Sequence, residues 1–307
     1  MSRRSLAAPS GTGAGEGADE REGRVRVGTS GWAYPHWRGR FYPDALPASQ
    51  QLAYYAARFD TVEINGSFYR LPTEAAAQGW AARTPAGFVF AWKASRYITQ
   101  AKKLKEPEAP LALAFGRMSP LRDKLGPALF QLPPGFKLNR DRLAAFLARL
   151  PKGRRCVAEF RHPSWYDEQT FELLAAHDVA LCVSDHHDAP APWVATASFA
   201  YVRGHGPGGC YVGRYAGAEL DRWARRIAEW RSAGRDVYAY FDNDTEGAAP
   251  LDAQALKLRL GLAGGGGEDF AVKNCRRTPI ASIAPKTRRL AARLGRAPST
   301  NRLEGGG

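Results

Sequence analysis

Residues 61–93 read TVEINGSFYRLPTEAAAQGWAARTPAGFVFAWK. The first run, TVEIN (61–65), is short, apolar and β-branched apart from Glu63 and Asn65, which suits a strand buried on both faces. TEAAAQGWAAR (73–83) opens with Thr73, a good N-cap, and spaces apolar residues three and four apart, which predicts a helix. FVFAWK (88–93) returns to the strand pattern. Strand, helix and strand at this spacing make a crossover unit with parallel strands.

The same alternation extends outward in both directions. Six further strand candidates are VRVGT (25–29), PALFQL (127–132), RRCVAEF (154–160), VALCVSD (179–185), SFAYVRG (198–204) and DVYAYF (236–241). Helical spacing recurs in 48–59, 139–150, 167–177, 217–234 and 251–260. Ser49, Asn139, Asp167 and Asp252 are N-cap candidates for these helices. The connection from His186 to Ala197 is short and Pro-rich, so its helix is expected to be missing. The expected class is α/β: one irregular (β/α)8 TIM-like barrel of parallel strands over residues 25–260. An open doubly wound sheet is the rival, but no GxGxxG follows the first strand. The glycine-rich run GHGPGG (204–209) lacks the Lys-Ser/Thr of a P-loop. No cofactor is called for.

The chain has 307 residues, 44% of them hydrophobic, enough for a sizeable core. No apolar run reaches the roughly 18–20 residues of a membrane span, and the N-terminus has no apolar signal core. A cytoplasmic protein without a membrane partner is expected. Cys156, Cys182, Cys210 and Cys275 form no CxxC pair and read as reduced thiols. Residues 1–24 are rich in Gly, Ala, Ser and Glu and read as a disordered leader; residues 261–307 read as a Gly-rich linker and basic tail. Net charge is +14, with +6 in 261–307 and none in 1–24. Such a balance favours anionic partners, either small molecules or nucleic acid.

Six segments carry a more specific signal: GTSGWAYPHWRGRFYP (28–43), FDTVEINGSFYRLP (59–72), FAWKAS (90–95), LFQLPPGF (129–136), AEFRHPSW (158–165) and YAYFDNDTEG (238–247). Together, and in this order, they resemble the YecE-like family, known as domain of unknown function 72. The resemblance implies an irregular TIM-like barrel and assigns no reaction. The chain departs from the family pattern near its end. Asp242-Asn243 stands where Asn-Asn is usual, and Ala248 and Asp252 stand where the family has His and Asn.

In a parallel barrel the ligand site gathers at the C-terminal strand ends. Glu63 stands out there, because a carboxylate in an apolar strand is costly unless paired or functional. Lys93 closes the neighbouring strand, and a Glu63–Lys93 pair is expected, acting as a buried ion pair or as base and anion binder. Glu159, Arg161 and His162 form a second group, in which Arg161 serves either as anion holder or as scaffold. The catalytic candidates are therefore Glu63, Lys93, Glu159 and His162. The substrate-binding candidates are Trp32, Asn65, Tyr69, Gln131, Arg161, Asp185, Arg203, Asp242 and Asn243. Trp32 and Tyr69 are chosen as rings that stack on sugars or bases. The leading expectation is an enzyme acting on an anionic or polyhydroxylated ligand of phosphodiester or sugar-phosphate type. The alternatives are nucleic-acid binding without catalysis, and a metal-dependent sugar isomerase or lyase using Glu63, Glu159, His162 and Asp185.

Overall fold

A computed structural model describes residues 21–262, and all eight expected strands are present. They are β1 (Val25–Thr29), β2 (Thr61–Ile64), β3 (Val89–Lys93), β4 (Leu125–Gln131), β5 (Cys156–Glu159), β6 (Val179–Ser184), β7 (Phe199–Gly204) and β8 (Asp236–Phe241). All pair in parallel, in the order β1-β8-β7-β6-β5-β4-β3-β2. Among the described residues a single bridge joins the two ends of that order, Ser30 to Glu63, backed by the Gly31 N–H donating to the Glu63 carbonyl at 2.8 Å. The barrel is therefore nearly closed, with its seam at β1 and β2. Gly28 lies on that seam: a Cβ there would stand 2.4 Å from the Thr61 carbonyl oxygen.

The helices are α1 (Gln51–Ala56), α2 (Glu74–Ala82), α3 (Glu108–Met118), α4 (Arg140–Leu147), α5 (Glu168–Ala176), α6 (Gly217–Ser232) and α7 (Ala248–Arg259). Thr73, Asn139 and Asp167 cap α2, α4 and α5 through their side chains. Ser49 caps nothing, and Asp252 lies inside α7. Helix α3 is absent from the sequence expectations because Pro110 sits in its run. A proline fits the first turn, whose N–H groups need no partner within the helix. No helix joins β6 to β7, as the Pro-rich connection implies.

Two cores result from the period-2 alternation of the strands. Ala91, Leu129, Val157, Cys182, Tyr201 and Tyr240 point into the barrel and pack on one another. The intervening residues, among them Val62, Phe90, Trp92, Phe130, Ala158, Val202 and Phe241, pack against the helices. Between β3 and β4 the register slips by one residue, with Phe90 opposite Leu125 but Trp92 opposite Ala128. Pro127 falls within this slip, where a residue without an N–H is tolerated.

Residues 22–24, expected in the leader, are tied to the barrel. Arg24 N–H donates to Asp236 at 2.8 Å, Gly23 N–H to the Arg231 carbonyl at 2.9 Å, and Glu22 pairs with Arg231. The rest of the leader, the tail from residue 263 and Cys275 lie outside the described residues. Cys156 and Cys182 are buried free thiols and Cys210 an exposed one.

Candidate active site

The inward parity of the strands continues into their C-terminal ends. It aims Glu63 of β2, Lys93 of β3, Gln131 of β4, Glu159 and Arg161 after β5, Arg203 and His205 at β7, and Asp242 after β8 toward one space. Arg203 is at the centre and has no exposed surface. Its Nη2 lies 2.9 Å from Glu63 Oε1, 2.8 Å from Asp242 Oδ2 and 3.2 Å from Ser30 Oγ. Its Nη1 lies 3.1 Å from Glu159 Oε2 and 3.0 Å from His205 Nε2. Arg161 Nη2 is 2.5 Å from Glu159 Oε1 and 3.1 Å from His205 Nε2. Three carboxylates thus face two guanidinium groups in a largely buried space, where an unpaired charge would be costly.

Glu63 takes a different partner from the one expected. Within β2 and β3 it lies opposite Ala91, so Lys93 is one inward position higher. Both Glu63 oxygens are committed: Oε1 to Ser30 Oγ at 2.6 Å and to Arg203, and Oε2 to the Tyr201 hydroxyl at 2.6 Å. Lys93 makes no ion pair or hydrogen bond through Nζ among the described residues. Its ammonium lies 4.4 Å from the centre of the Phe68 ring. Burial, and next the neighbouring Arg203, lower its pKa to about 8, against the opposing pull of Glu159, Asp242 and Glu63.

Glu159 behaves in the opposite way. Burial alone would raise its pKa, but Arg161, Arg203 and Lys93 together hold it at about 2, so it stays ionised. Burial raises Asp242 despite Arg203. Burial likewise lifts Asp185 to about 6, although the Tyr215 hydroxyl and the His205 N–H donate to it. His205 is held well below the usual histidine range, first by burial and then by Arg203 and Arg161. A neutral ring follows. With Nε2 facing two guanidinium donors, the proton belongs on Nδ1, which faces Asp185 Oδ1 at 3.2 Å.

Of the sequence-derived candidates, His162 and Asn243 face away from this ring. His162 has the outward parity, and its Nδ1 engages Ser164 N and Oγ at 3.1 and 2.8 Å, capping a tight turn. Asn243 also has the outward parity: its Nδ2 donates to Asp252 Oδ2 at 2.8 Å and to the Gly213 carbonyl at 2.7 Å. Asp252, one of the departures from the family pattern, also accepts from Tyr215 N and Arg214 Nε, each at 3.2 Å, and anchors the loop before α6. Ala248, the other departure, is buried at the start of α7. His205, Ser30, Tyr201, Tyr211 and Tyr215 belong to the network but not to the candidate list. Extending the alternation Phe199, Tyr201, Arg203 by one step was the signal for His205.

The set proposed for a metal, Glu63, Glu159, His162 and Asp185, does not come together. The Arg203 guanidinium stands between Glu63 and Glu159, and His162 faces its own turn. His186, His187 and Asp188 offer ligand atoms within 4.8 Å of one another, but they are consecutive residues on a largely exposed loop.

Trp32, Asn65 and Tyr69 line one groove of about 600 Å³, together with Tyr34, Arg70 and Trp80. Trp32 stands edge-on to Trp80, with ring centres 5.4 Å apart, and Tyr69 is 70% exposed. The groove abuts the charged ring, since the Tyr34 hydroxyl bonds the Ser30 carbonyl and Ser67, another lining residue, bonds the Lys93 carbonyl at 2.7 Å. Gln131 lies at the edge of the ring, its Oε1 3.5 Å from Arg161 Nη2.

Comparison with known proteins agrees with this architecture. The profile of the family described as "Protein of unknown function DUF72" matches residues 26–272. UPF0759 protein YunF of Bacillus subtilis is 26% identical over 272 residues, covering 76% of this chain and 94% of that protein. UPF0759 protein YecE of Escherichia coli is 28% identical over 151 residues, 48% of this chain and 53% of that one. The crystal structure of a DUF72 family protein from Thermotoga maritima superposes with a TM-score of 0.71 at 29% identity, covering 78% of this chain and 99% of that chain. One from Enterococcus faecalis, at 19% identity and a TM-score of 0.67, shares the fold. With eight parallel strands in a nearly closed barrel and a profile match over most of its length, the chain belongs to the DUF72 family.

Proposed function

We propose that this chain is an enzyme acting on an anionic or polyhydroxylated small molecule at the C-terminal ends of its strands. The observation that carries the reading is the isolation of Lys93. Every carboxylate of the inward ring is bound to Arg203 or Arg161, while the Lys93 ammonium is largely buried and, among the described residues, unclaimed. A cation kept that way costs stability and is suited to hold an incoming negative charge or to exchange a proton near neutral pH. Glu63 and Glu159 then act as positioning residues that fix Arg203, and Asp242 and Asp185 are the carboxyl groups whose raised pKa values suit proton transfer. The aromatic groove beside the ring supplies stacking surface for a sugar or base.

The test is a thermal-shift panel of sugar phosphates, phosphodiesters and unphosphorylated sugars, run on the wild type, Lys93→Met and Trp32→Ala. At least one phosphorylated compound should raise the wild-type Tm, with the gain lost in Lys93→Met and reduced in Trp32→Ala. A panel without effect, or a gain that survives both substitutions, refutes the reading.

A further inference from the structure

We propose that Lys93 is a nucleophilic amine that forms a covalent imine with the carbonyl group of the substrate. This rests on the preceding reading and names the reactive group of the molecule bound there.

The structure meets three requirements of an amine nucleophile. The first is an uncommitted nitrogen. Lys93 is 7% exposed, yet Nζ has no carboxylate or carbonyl partner among the described residues and faces the Phe68 ring, 4.4 Å from its centre. A lysine kept for charge balance would be paired, and the three carboxylates that would pair it are held by Arg203 and Arg161. The second is a reason to lose its proton. Desolvation and a neighbouring fixed cation are the two physical devices that do this, and Lys93 has both, burial first and Arg203 second. The third is a group that manages protons. Asp242 acts on Lys93 electrostatically, its own carboxyl is raised by burial, and only its Oδ2 is engaged, by Arg203.

The step balances without an oxidant or reductant. Neutral Lys93 Nζ attacks the carbonyl carbon, a C–N bond forms, and the carbonyl π electrons pass to oxygen. The attacking nitrogen passes one proton to the oxyanion to give the carbinolamine. Its hydroxyl takes up, by way of the Asp242 carboxylate, the proton that Lys93 gave up on becoming neutral and leaves as water, and nitrogen retains one proton in the iminium ion. Return of water to the carbon reverses the sequence. The iminium is a cation in place of the ammonium, so the charge of the ring is preserved.

The experiment is reductive trapping of the full-length protein. Glyoxylate, pyruvate and glyceraldehyde are each incubated with the protein and sodium cyanoborohydride across pH 6 to 10, and the modified lysines are identified by peptide mass spectrometry. Lys93 should be labelled by at least one probe more than tenfold faster than the exposed Lys137 and Lys152, with a rate that rises through pH about 8. An exposed lysine should instead rise near its ordinary value of about 10.4. Lys93→Arg should lose the label while keeping a cation in the ring. Labelling of Lys93 no faster than of Lys137 and Lys152 overturns the imine. If Lys93→Arg also retains the Tm gain of the phosphorylated compounds, the pocket reading stands and only the covalent step falls. If no compound shifts Tm and no probe labels Lys93, both fall.

Discussion

At Lys93 the protein keeps a charge where burial opposes it. The folded-state pKa of about 8 lies below the ordinary 10.5, so folding favours the neutral amine. Its contribution to stability is present above pH 10.5 and is lost as pH falls through 8. At pH 7 the displacement corresponds to a penalty of roughly 3 kcal/mol. Lys93→Met should therefore be more stable than the wild type at pH 7, by up to that amount, and the gain should shrink toward zero above pH 10. Urea unfolding at the two pH values checks this, and a variant less stable at pH 7 would show that the ammonium is a structural element. A residue whose removal stabilises the fold and abolishes ligand binding is the pattern expected of a functional group.

The elements act by presenting alternate residues to the barrel interior, and their spacing at the seam is fixed by backbone. Gly28 of β1 faces the Thr61 carbonyl so closely that a methyl group has no room. Gly28→Ala should push β1 from β2, strain the Ser30–Glu63 bridge and cost about 1–3 kcal/mol, as overpacking does. Thermal denaturation measures the loss, and an unchanged Tm would show that the seam is slack. Helix α7 matters in another way. Its Asp252 collects donors from Asn243, Tyr215 and Arg214, so it ties the end of β8 to the loop before α6. That loop carries Tyr215, whose hydroxyl holds Asp185. A departure from the family pattern at 252 thus sits three hydrogen bonds from His205 of the charged ring, by way of Tyr215 and Asp185.

Over the whole molecule the ring at the strand ends couples β2, β5, β7 and β8 through one guanidinium. Arg203→Met should cost about 3–5 kcal/mol, because Glu63, Glu159 and Asp242 would be left buried without their partner. Combining it with Glu63→Gln should restore part of the loss, since one uncompensated charge is removed; denaturation of the two single variants and the double variant measures the coupling. The charge of the chain belongs to the same scale. Residues 261–307 hold +6 of the net +14. Any hold on nucleic acid should weaken steeply between about 50 and 200 mM salt, and a chain ending at residue 262 should bind more weakly than the full chain. A gel-shift titration with DNA and RNA tests both, and no binding at the lowest salt discards nucleic acid as a partner.

The sequence by itself determined the strands, the parallel crossover and the missing helix between β6 and β7, because these depend on local periodicity and on capping chemistry within a few residues. The strand periods also carry the parity of each side chain, which the choice of His162 and Asn243 did not apply. Parity even separates the ring from its neighbours: Glu63, Lys93, Glu159, Arg161, Arg203 and Asp242 share the inward phase, while His162 and Asn243 stand one step off it. What only the tertiary structure decided is the pairing within that ring. Glu63 and Arg203 lie 140 residues apart, on strands that are not neighbours. Their meeting depends on how far the sheet rolls, on the register of β2 against β3, and on the reach of a long side chain across the interior. Those quantities are set by closure of the whole barrel, so no local pattern could have told that Arg203 takes the carboxylates and leaves Lys93 without a partner among the described residues.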